Sequence, residues 1–532
     1  MLNDALAHFS FEGQVAYDAI EDVECEFMPT LPDGDFIPVG VLSRTIPSSP
    51  KTSLRPSALH GLWMEPKTAP AVLGPVKRND IVIDPLMKGL MKCGTSPSPI
   101  DNELLERCKT AVGNNLCKNI AFNRVLTYEE AIMGVGDDPF MRPVNRRTSP
   151  GYPFIFDRQG HRGKTKWLGS DENYILDNEE LKEMCLKRIE LAKEGIRTPA
   201  LWIDTLKDER RPKEKIEQVK TRVFSAGPMD FILVFRQYFL AFNAHMMRGR
   251  IYNGCAVGVN PYSIEWHELG KYLQGVGNNI FAGDFSNFDG TLHPEILWSI
   301  LDIVNKFYDD GEENRRIRTV LFAEIVNSIH IMRNNVYMMT HSQPSGNPFT
   351  TVLNVCYNEI AFMYVFVEVT GESLRTYLIS VRVQFFGDDS LVSVSDTVRD
   401  RFNQETVELG FKKLGMVYTD ANKTGEIVKW KALEDVNFLK RDFRFDPDLM
   451  RYVAPLDLDV VLEMPMWVKS DLDVDERCSS NLEKAYGELA LHGREIFDHW
   501  SKILSEHANE HLEEPPVLLH YTDYKEMDLN QI

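Results

Sequence analysis

The chain has 532 residues, of which 43% are apolar, 10% aromatic and 26% charged, a composition that fits a folded globular protein and excludes a disordered one. Its 79 acidic residues outnumber its 59 basic ones and leave a formal charge of −20, so bulk positive charge cannot hold nucleic acid and any such site must be local. At roughly 100–200 residues per domain, the length predicts several units or one large enzyme with interlocked subdomains.

The first 50 residues, acidic and punctuated by MPTLPDGD and TIPSSP, predict an extension that packs loosely or leads in from a larger precursor. The opening MLNDALAHFSFEG lacks a basic region followed by an apolar core and does not read as a secretory signal. From Lys51 to Gly74 the text is Pro-rich and weakly periodic, which predicts an extended, wandering segment. Helices are predicted over 101–135 and 179–195, the second capped by Asn178 and stopped by Gly195. Phe231–Met247 is apolar but interrupted by Arg236 and Gln237, and Ile360–Val367 is bounded by Glu359 and Glu368; both fall short of the ~20 residues that span a bilayer and read as buried core.

A strand is predicted over 276–284, then helices over 294–322 and 347–369, the latter after a Gly-Asn-Pro turn. Val381, Val383 and Phe385 alternate with polar or small residues, GDD follows, then LVSVS: a strand, a tight turn and a strand. Helix returns over 396–414 and again over 475–511. No repeat or low-complexity tract interrupts this order. The eight cysteines include no C-x-x-C pair, so neither a zinc knuckle nor a disulfide framework is readable, and a reducing compartment fits best.

Asp388 and Asp389 stand side by side at the tip of the predicted hairpin. Adjacent carboxylates repel, and a divalent cation is the natural reason to keep both, although a solvated Gly-Asp turn uses the same residues. A second pair, Asp284 and Asp289 in GDFSNFDG, ends a strand and opens the next element, where a helix cap is the plain alternative. Phosphoryl transfer with two metal ions needs carboxylates from two neighbouring strands, and Asp284 with Asp388 could supply them. Between these sites, Ser345-Gly346 opens a turn, and Thr350 and Asn354 share one helical face at i and i+4, either toward a ligand or as a cap and a satisfied core Asn. Lys207–Arg222 carries seven basic and four acidic residues, a local excess of three in an acidic chain; such runs are often solvated faces, but a triphosphate or an RNA backbone needs local positive charge.

The order of these elements, a basic stretch, D-x4-D, S-G-x3-T-x3-N, G-D-D and then F-L-K-R, resembles the RNA-directed RNA polymerases of picorna-like positive-strand RNA viruses from about Lys51 to Arg441. Lys51–Gly74 is similar to the family's index finger, and Thr148-Ser149-Pro150-Gly151-Tyr152-Pro153 to its template-channel motif G. Lys207 with Arg222 is similar to motif F, Asp284 and Asp289 to motif A, Ser345 to Asn354 to motif B, Gly387-Asp388-Asp389 to motif C, Lys423 to the lysine of motif D, and Phe438-Leu439-Lys440-Arg441 to motif E. One departure is Phe386, where the family most often has Tyr; the ring is kept and the metal ligands are untouched.

The resemblance implies an α+β right-hand polymerase fold of fingers, palm and thumb, with a small antiparallel palm sheet backed by helices. It implies an N-terminal extension over 1–50, fingers over 51–239 and 292–340, palm over 240–291 and 341–443, and thumb over 444–532. The implied reaction is template-directed RNA synthesis from ribonucleoside triphosphates with two Mg2+ ions, for which Mn2+ can substitute, held by Asp284 and Asp388 with Asp389 in support. Asp289, Ser345, Gly346, Thr350 and Asn354 would read the nucleotide ribose. Lys207, Arg211, Lys215, Lys220 and Arg222, with Ser149, Gly151, Lys440 and Arg441, would meet triphosphate or RNA, and Lys423 would protonate pyrophosphate. Expected partners are template and nascent RNA, NTPs, a protein primer and other viral replication proteins, at membrane-associated complexes of the host cytoplasm reached through those partners and not through a membrane span. Two rivals are a reverse-transcriptase-like DNA polymerase, against which Asn354 and the Ser345-Gly346 turn argue, and a non-catalytic RNA-binding scaffold, against which the complete set of metal ligands argues.

Overall fold

A computed structural model describes residues 20–21, 36–48, 51–93, 96–170, 172–421, 428–469 and 473–529. The elements that position the site begin with strands β1 (Ile20–Glu21), β2 (Phe36–Leu42), β3 (Leu201–Leu206) and β4 (Val223–Ala226), then helix α1 (Met229–Arg248) and strand β5 (Asn279–Ser286). Helices α2 (Pro294–Tyr308) and α3 (Glu312–Val326) lead to strands β6 (Ile329–Met332) and β7 (Asn335–Met339), and then to helix α4 (Thr350–Thr370). Strands β8 (Val381–Phe386) and β9 (Asp389–Val394), helix α5 (Gln404–Lys413), strand β10 (Val417–Asp420) and helices α6 (Val474–Leu491) and α7 (Arg494–His511) complete the set.

Two sheets frame the molecule. The larger has the order β1-β2-β7-β6-β3-β4. Its β3 runs parallel to β6 with Ile203 opposite Ile331, while β2 lies antiparallel to β7 with a bulge at Val336/Tyr337. Phe36, Val39 and Leu42 are buried, so this part of the first 50 residues is an integral strand and not a loosely packed lead-in. The smaller sheet, order β8-β9-β5-β10, is antiparallel throughout, as the resemblance implies. Helices α4 and α5 cover one face, where Phe285, Phe362, Phe411 and Tyr418 form a cluster of mostly edge-on or tilted aromatic contacts.

Helix α4 is long and apolar enough to cross a membrane by composition, yet 83% of that stretch is buried inside the protein, so it serves as a core helix. Helix α1 is buried along nearly its whole length. The polar interruptions seen in its sequence are satisfied by neighbouring loops: Arg236 donates from Nε to the Ala131 carbonyl at 2.7 Å, and Gln237 donates to the Leu126 carbonyl at 3.1 Å.

Four expected helices are divided or shortened. The 101–135 segment forms helices at Asn102–Leu116 and Tyr128–Met133, because Thr127 and Glu130 make a capping box that starts a second helix. The 294–322 segment breaks between α2 and α3, where Asp309 takes a left-handed conformation. The 396–414 segment becomes helical only at Gln404, after the Asn403 cap. The 475–511 segment is split by Gly493, whose φ of 96° no L side chain adopts readily.

Helices α6 and α7 pack with a final helix, Tyr521–Leu529, through Leu482, Tyr486, Leu489, Phe497 and Leu504. The Lys51–Gly74 segment joins this cluster to the larger-sheet side of the molecule. Strand Leu54–Pro56 pairs with Trp467–Lys469, Leu59 enters the helical cluster, and Trp63 donates from Nε1 to the Leu462 carbonyl at 3.0 Å. Strand Thr68–Pro70 then pairs with Arg210–Pro212 in the basic segment. The extended reading of this stretch therefore holds, and its path ties the C-terminal helices to the basic wall described next.

Candidate active site

The β8–β9 hairpin pairs Phe386 with Asp389, which leaves Gly387 and Asp388 as its two-residue turn. On the adjacent central strand, Gly283 pairs with Ser390, so Asp284 emerges one residue beyond, near the same end of the sheet. Asp284 and Asp388 both line a cleft of about 610 Å³, together with Asp289, Gln343, Ser345 and Asn354. Asp389 opens strand β9 and is not among the cleft-lining residues. Burial pushes the Asp388 carboxyl up to about 7, with further contributions from the negative charges of Asp389, Asp289 and Asp284. Carboxylates converging at such electrostatic expense fit a hard divalent cation, which takes oxygen ligands and relieves the repulsion.

Beside them lies an amide-bound carboxylate. Asn354 on α4 donates from Nδ2 to Asp289 Oδ1 at 2.9 Å, and Gln343 donates from Nε2 to the same oxygen at 3.2 Å and to Asn354 Oδ1. Asn347 in turn donates to Gln343 Oε1 at 2.9 Å. Burial in the cleft raises the Asp289 carboxyl, and the two amides work against that rise. The Ser345-Gly346 turn packs so closely on strand β4 that a Cβ on Gly346 would sit 1.9 Å from the Ser225 carbonyl oxygen, so only glycine fits. Thr350 donates from Oγ1 to the Asn347 carbonyl at 2.9 Å within the first turn of α4 and does not line the cleft. One helical turn past Asn354, the fully buried Asn358 donates from Nδ2 to the Gly387 carbonyl at 2.9 Å.

The opposite wall is basic. Lys207, Arg211, Lys215, Lys220 and Arg222 all line the cleft, joined by Lys92. Glu209 partly balances this wall: it accepts both arms of Arg222 and lies 3.4 Å from Lys207. Hydrogen bonding to Glu209 raises the Arg222 guanidinium, and the charge of Asp388 across the cleft adds to it. Desolvation, together with Lys220, Arg211 and Lys88, holds the Lys92 ammonium below its usual value. Cations that depress one another in this way mark an excess of positive charge that an anion would relieve.

In the cleft wall, Asp204 on β3 accepts from Ser225 Oγ at 2.8 Å, pairs with His330 Nδ1 at 2.8 Å and accepts from the Tyr337 hydroxyl. This buried network braces strands β3, β4, β6 and β7 against one another where they face the cleft.

The remaining residues singled out in the sequence stand elsewhere. Ser149 Oγ accepts from the Gly151 N–H at 3.2 Å, and neither residue lines the cleft. Lys440 is exposed away from it. Arg441 is bound within the fold: it pairs with Glu488 at 2.7 Å, donates to the Ala454 carbonyl at 2.6 Å and lies over the Tyr262 ring. Lys423 lies outside the described residues. Sequence reasoning missed Gln343, Asn358, Lys92 and the Asp204 network. Of these, only Gln343 sits beside a recognisable motif, two residues before Ser345.

The family model described as viral RNA-dependent RNA polymerase matches residues 64–508. The replicase polyprotein of Acute bee paralysis virus (strain Rothamsted) is 43% identical over 491 residues, covering 89% of this chain and 26% of the polyprotein. That of Drosophila C virus (strain EB) is 39% identical over 529 residues, covering 93% of this chain and 30% of the polyprotein. The chain thus spans less than a third of the length of these relatives. Among solved structures, a Sicinivirus 3Dpol RNA dependent RNA polymerase has the same fold, with a TM-score of 0.78 at 19% identity over 93% of this chain and 98% of that one.

Proposed function

The chain belongs to the viral RNA-dependent RNA polymerase family, and from that premise we propose that it extends an RNA 3′ end along an RNA template from ribonucleoside triphosphates, replicating a viral genome. The observation that carries this reading is one cleft in which Asp284 and Asp388 converge opposite six cationic side chains, with the amide-bound Asp289 beside them. Two Mg2+ ions, replaceable by Mn2+, would supply Lewis-acid activation of the primer hydroxyl and neutralisation of the departing pyrophosphate. Asp284 and Asp388 would hold them, and Asp389 raises the charge density at Asp388 from the next position.

The protein's own groups do the positioning. Lys92, Lys207, Arg211, Lys215, Lys220 and Arg222 bind the triphosphate and orient it toward the carboxylates. Asn354, Gln343 and Asp289 present an amide and a carboxylate to the ribose 2′ hydroxyl, the group that separates RNA from DNA precursors. Lys423 donates a proton to pyrophosphate. The fingers comprise 51–239 and 292–340 with the strand at 36–42 added, the palm 240–291 and 341–443, and the thumb 444–532. Template and nascent RNA, a protein primer and other replication proteins are the partners, at membrane-associated complexes of the host cytoplasm.

The test is primer extension on a defined RNA template with all four NTPs, with and without magnesium, and with dNTPs in parallel. Magnesium-dependent extension from NTPs over dNTPs supports the reading, and no extension under any of these conditions overturns it.

A further inference from the structure

We propose that His507, Glu510 and His511, at the end of helix α7, form a binding site for a divalent transition ion of borderline softness, with zinc as the representative. The site is separate from the carboxylates of the cleft and independent of their role.

The positions are i, i+3 and i+4, which places all three side chains on one face of the last helical turn. One ligand atom from each residue lies within 4.8 Å of the other two. The two imidazole rings are nearly parallel, with centroids 6.2 Å apart and planes 20° apart, and His511 Nε2 stands 3.8 Å from Glu510 Oε2. Tetrahedral zinc with bonds of about 2.0–2.2 Å to nitrogen and oxygen sets its ligands roughly 3.3–3.6 Å apart. Small side-chain rotations close that difference, and the Glu510 side chain, 72% exposed, has room to make them.

Charge favours a cation here. The last turn of a helix presents unpaired carbonyl groups at the negative end of its dipole, and α7 ends at His511. The one lysine of α7, Lys502, stands more than a turn before His507 and pairs with Glu506 at 4.0 Å. The donor set decides the type of ion. Two imidazoles and one carboxylate suit zinc, copper or nickel, whereas magnesium prefers oxygen ligands such as those of the cleft. Three protein ligands leave one position for water or a further group.

The site also touches the contact between the two ends of the chain. The His507 ring lies 6.0 Å from the Trp63 ring, and Trp63 is anchored to the Leu462 carbonyl. An ion bound to His507 therefore fixes that ring where the N-terminal segment crosses the C-terminal helices.

The test is calorimetric titration of the full chain with zinc chloride under excess magnesium, which loads the oxygen-only ligands. The parent is compared with the His507→Ala/His511→Ala double variant, the exposed single substitution His511→Gln, and Asp284→Asn/Asp388→Asn. The expected result is one zinc per chain in the parent and in the aspartate variant, at least a tenfold loss of affinity in the double variant and an intermediate loss in His511→Gln. Zinc should also raise the unfolding temperature of the parent more than that of the double variant, with the two matched in chelator. Zinc binding that survives the double substitution, disappears with the aspartates, or is absent from the parent under excess magnesium would overturn the proposal.

Discussion

Asn358 and Gly387 are joined by a 2.9 Å hydrogen bond from the amide of helix α4 to the carbonyl of the turn that presents Asp388. One helical turn earlier on the same face, Asn354 holds Asp289. A single helix therefore sets the spacing between the Asp289 carboxylate and the turn that carries Asp388, the groups proposed above to read the ribose and to hold metal.

Asn358→Ala should lower turnover by about tenfold or more and raise the magnesium concentration needed for half-maximal rate, because ångström-scale misplacement of a reacting group can cost about 10²-fold. RNA affinity should hold. Titrating magnesium in single-turnover extension checks this. A variant that merely folds less well would lose active sites without shifting its magnesium dependence.

Asn354→Ala should reduce NTP over dNTP discrimination more than it reduces the maximal rate with NTP. A site whose buried amides are satisfied by a substrate hydroxyl penalises the substrate lacking it. Competition between matched NTP and dNTP measures the ratio directly, and an unchanged ratio would leave Asn354 as a brace for Asp289 alone.

Lys92→Leu should weaken NTP binding, raising KM with little change in kcat, and should flatten the dependence of KM on salt. Lys92 shares the cleft wall with Lys220 and Arg211, so its charge adds to a field that would attract the proposed triphosphate in the ground and transition states alike. Steady-state kinetics at two ionic strengths decide the matter.

Glu359 is buried on α4 with Oε1 lacking a hydrogen-bond partner, and burial pushes its carboxyl up to about 8 from an ordinary 4.5. Cys255, Cys356, Tyr272 and Tyr377 lie around it, and among the described residues no cation offsets its charge. The folded chain keeps this proton across a range in which the unfolded chain has released it, so this contribution to stability is full below about 4.5 and is lost as pH rises to about 8. Glu359→Gln should therefore gain on the parent as pH rises through that window, and denaturant unfolding at pH 5, 6.5 and 8 should show the gap widening.

The parts of the site legible in the sequence were those that short spacing carries. Asp388 and Asp389 are neighbours, Asp284 and Asp289 are five apart, and Ser345 to Asn354 occupy one turn and the helix that follows, so local chemistry and order pointed to them. Gln343, Asn358, Lys92 and Asp204 act through partners as far as 133 positions away or on other elements, and apart from Gln343's place two residues before Ser345, nothing in their own neighbourhoods sets them apart from ordinary polar residues. The helix breaks at Asp309 and Gly493 were obscured for a related reason. Apolar periodicity continues on both sides of each, and only the backbone conformation marks the end of one helix and the start of the next. The strand at Phe36–Leu42 gains its stability from pairing with β7, some 300 residues along the chain, and its own text gives little sign of it.

The central claim is that Asp284 and Asp388 together serve nucleotidyl transfer, and single-turnover extension with Asp284→Asn and Asp388→Asn tests it most directly. Each substitution removes a charged oxygen ligand while leaving the basic wall in place, so each should slow nucleotide addition by about 10³-fold or more with RNA affinity nearly unchanged. Extension by either variant at a rate close to the parent's, with RNA binding intact, would contradict the assignment of that carboxylate.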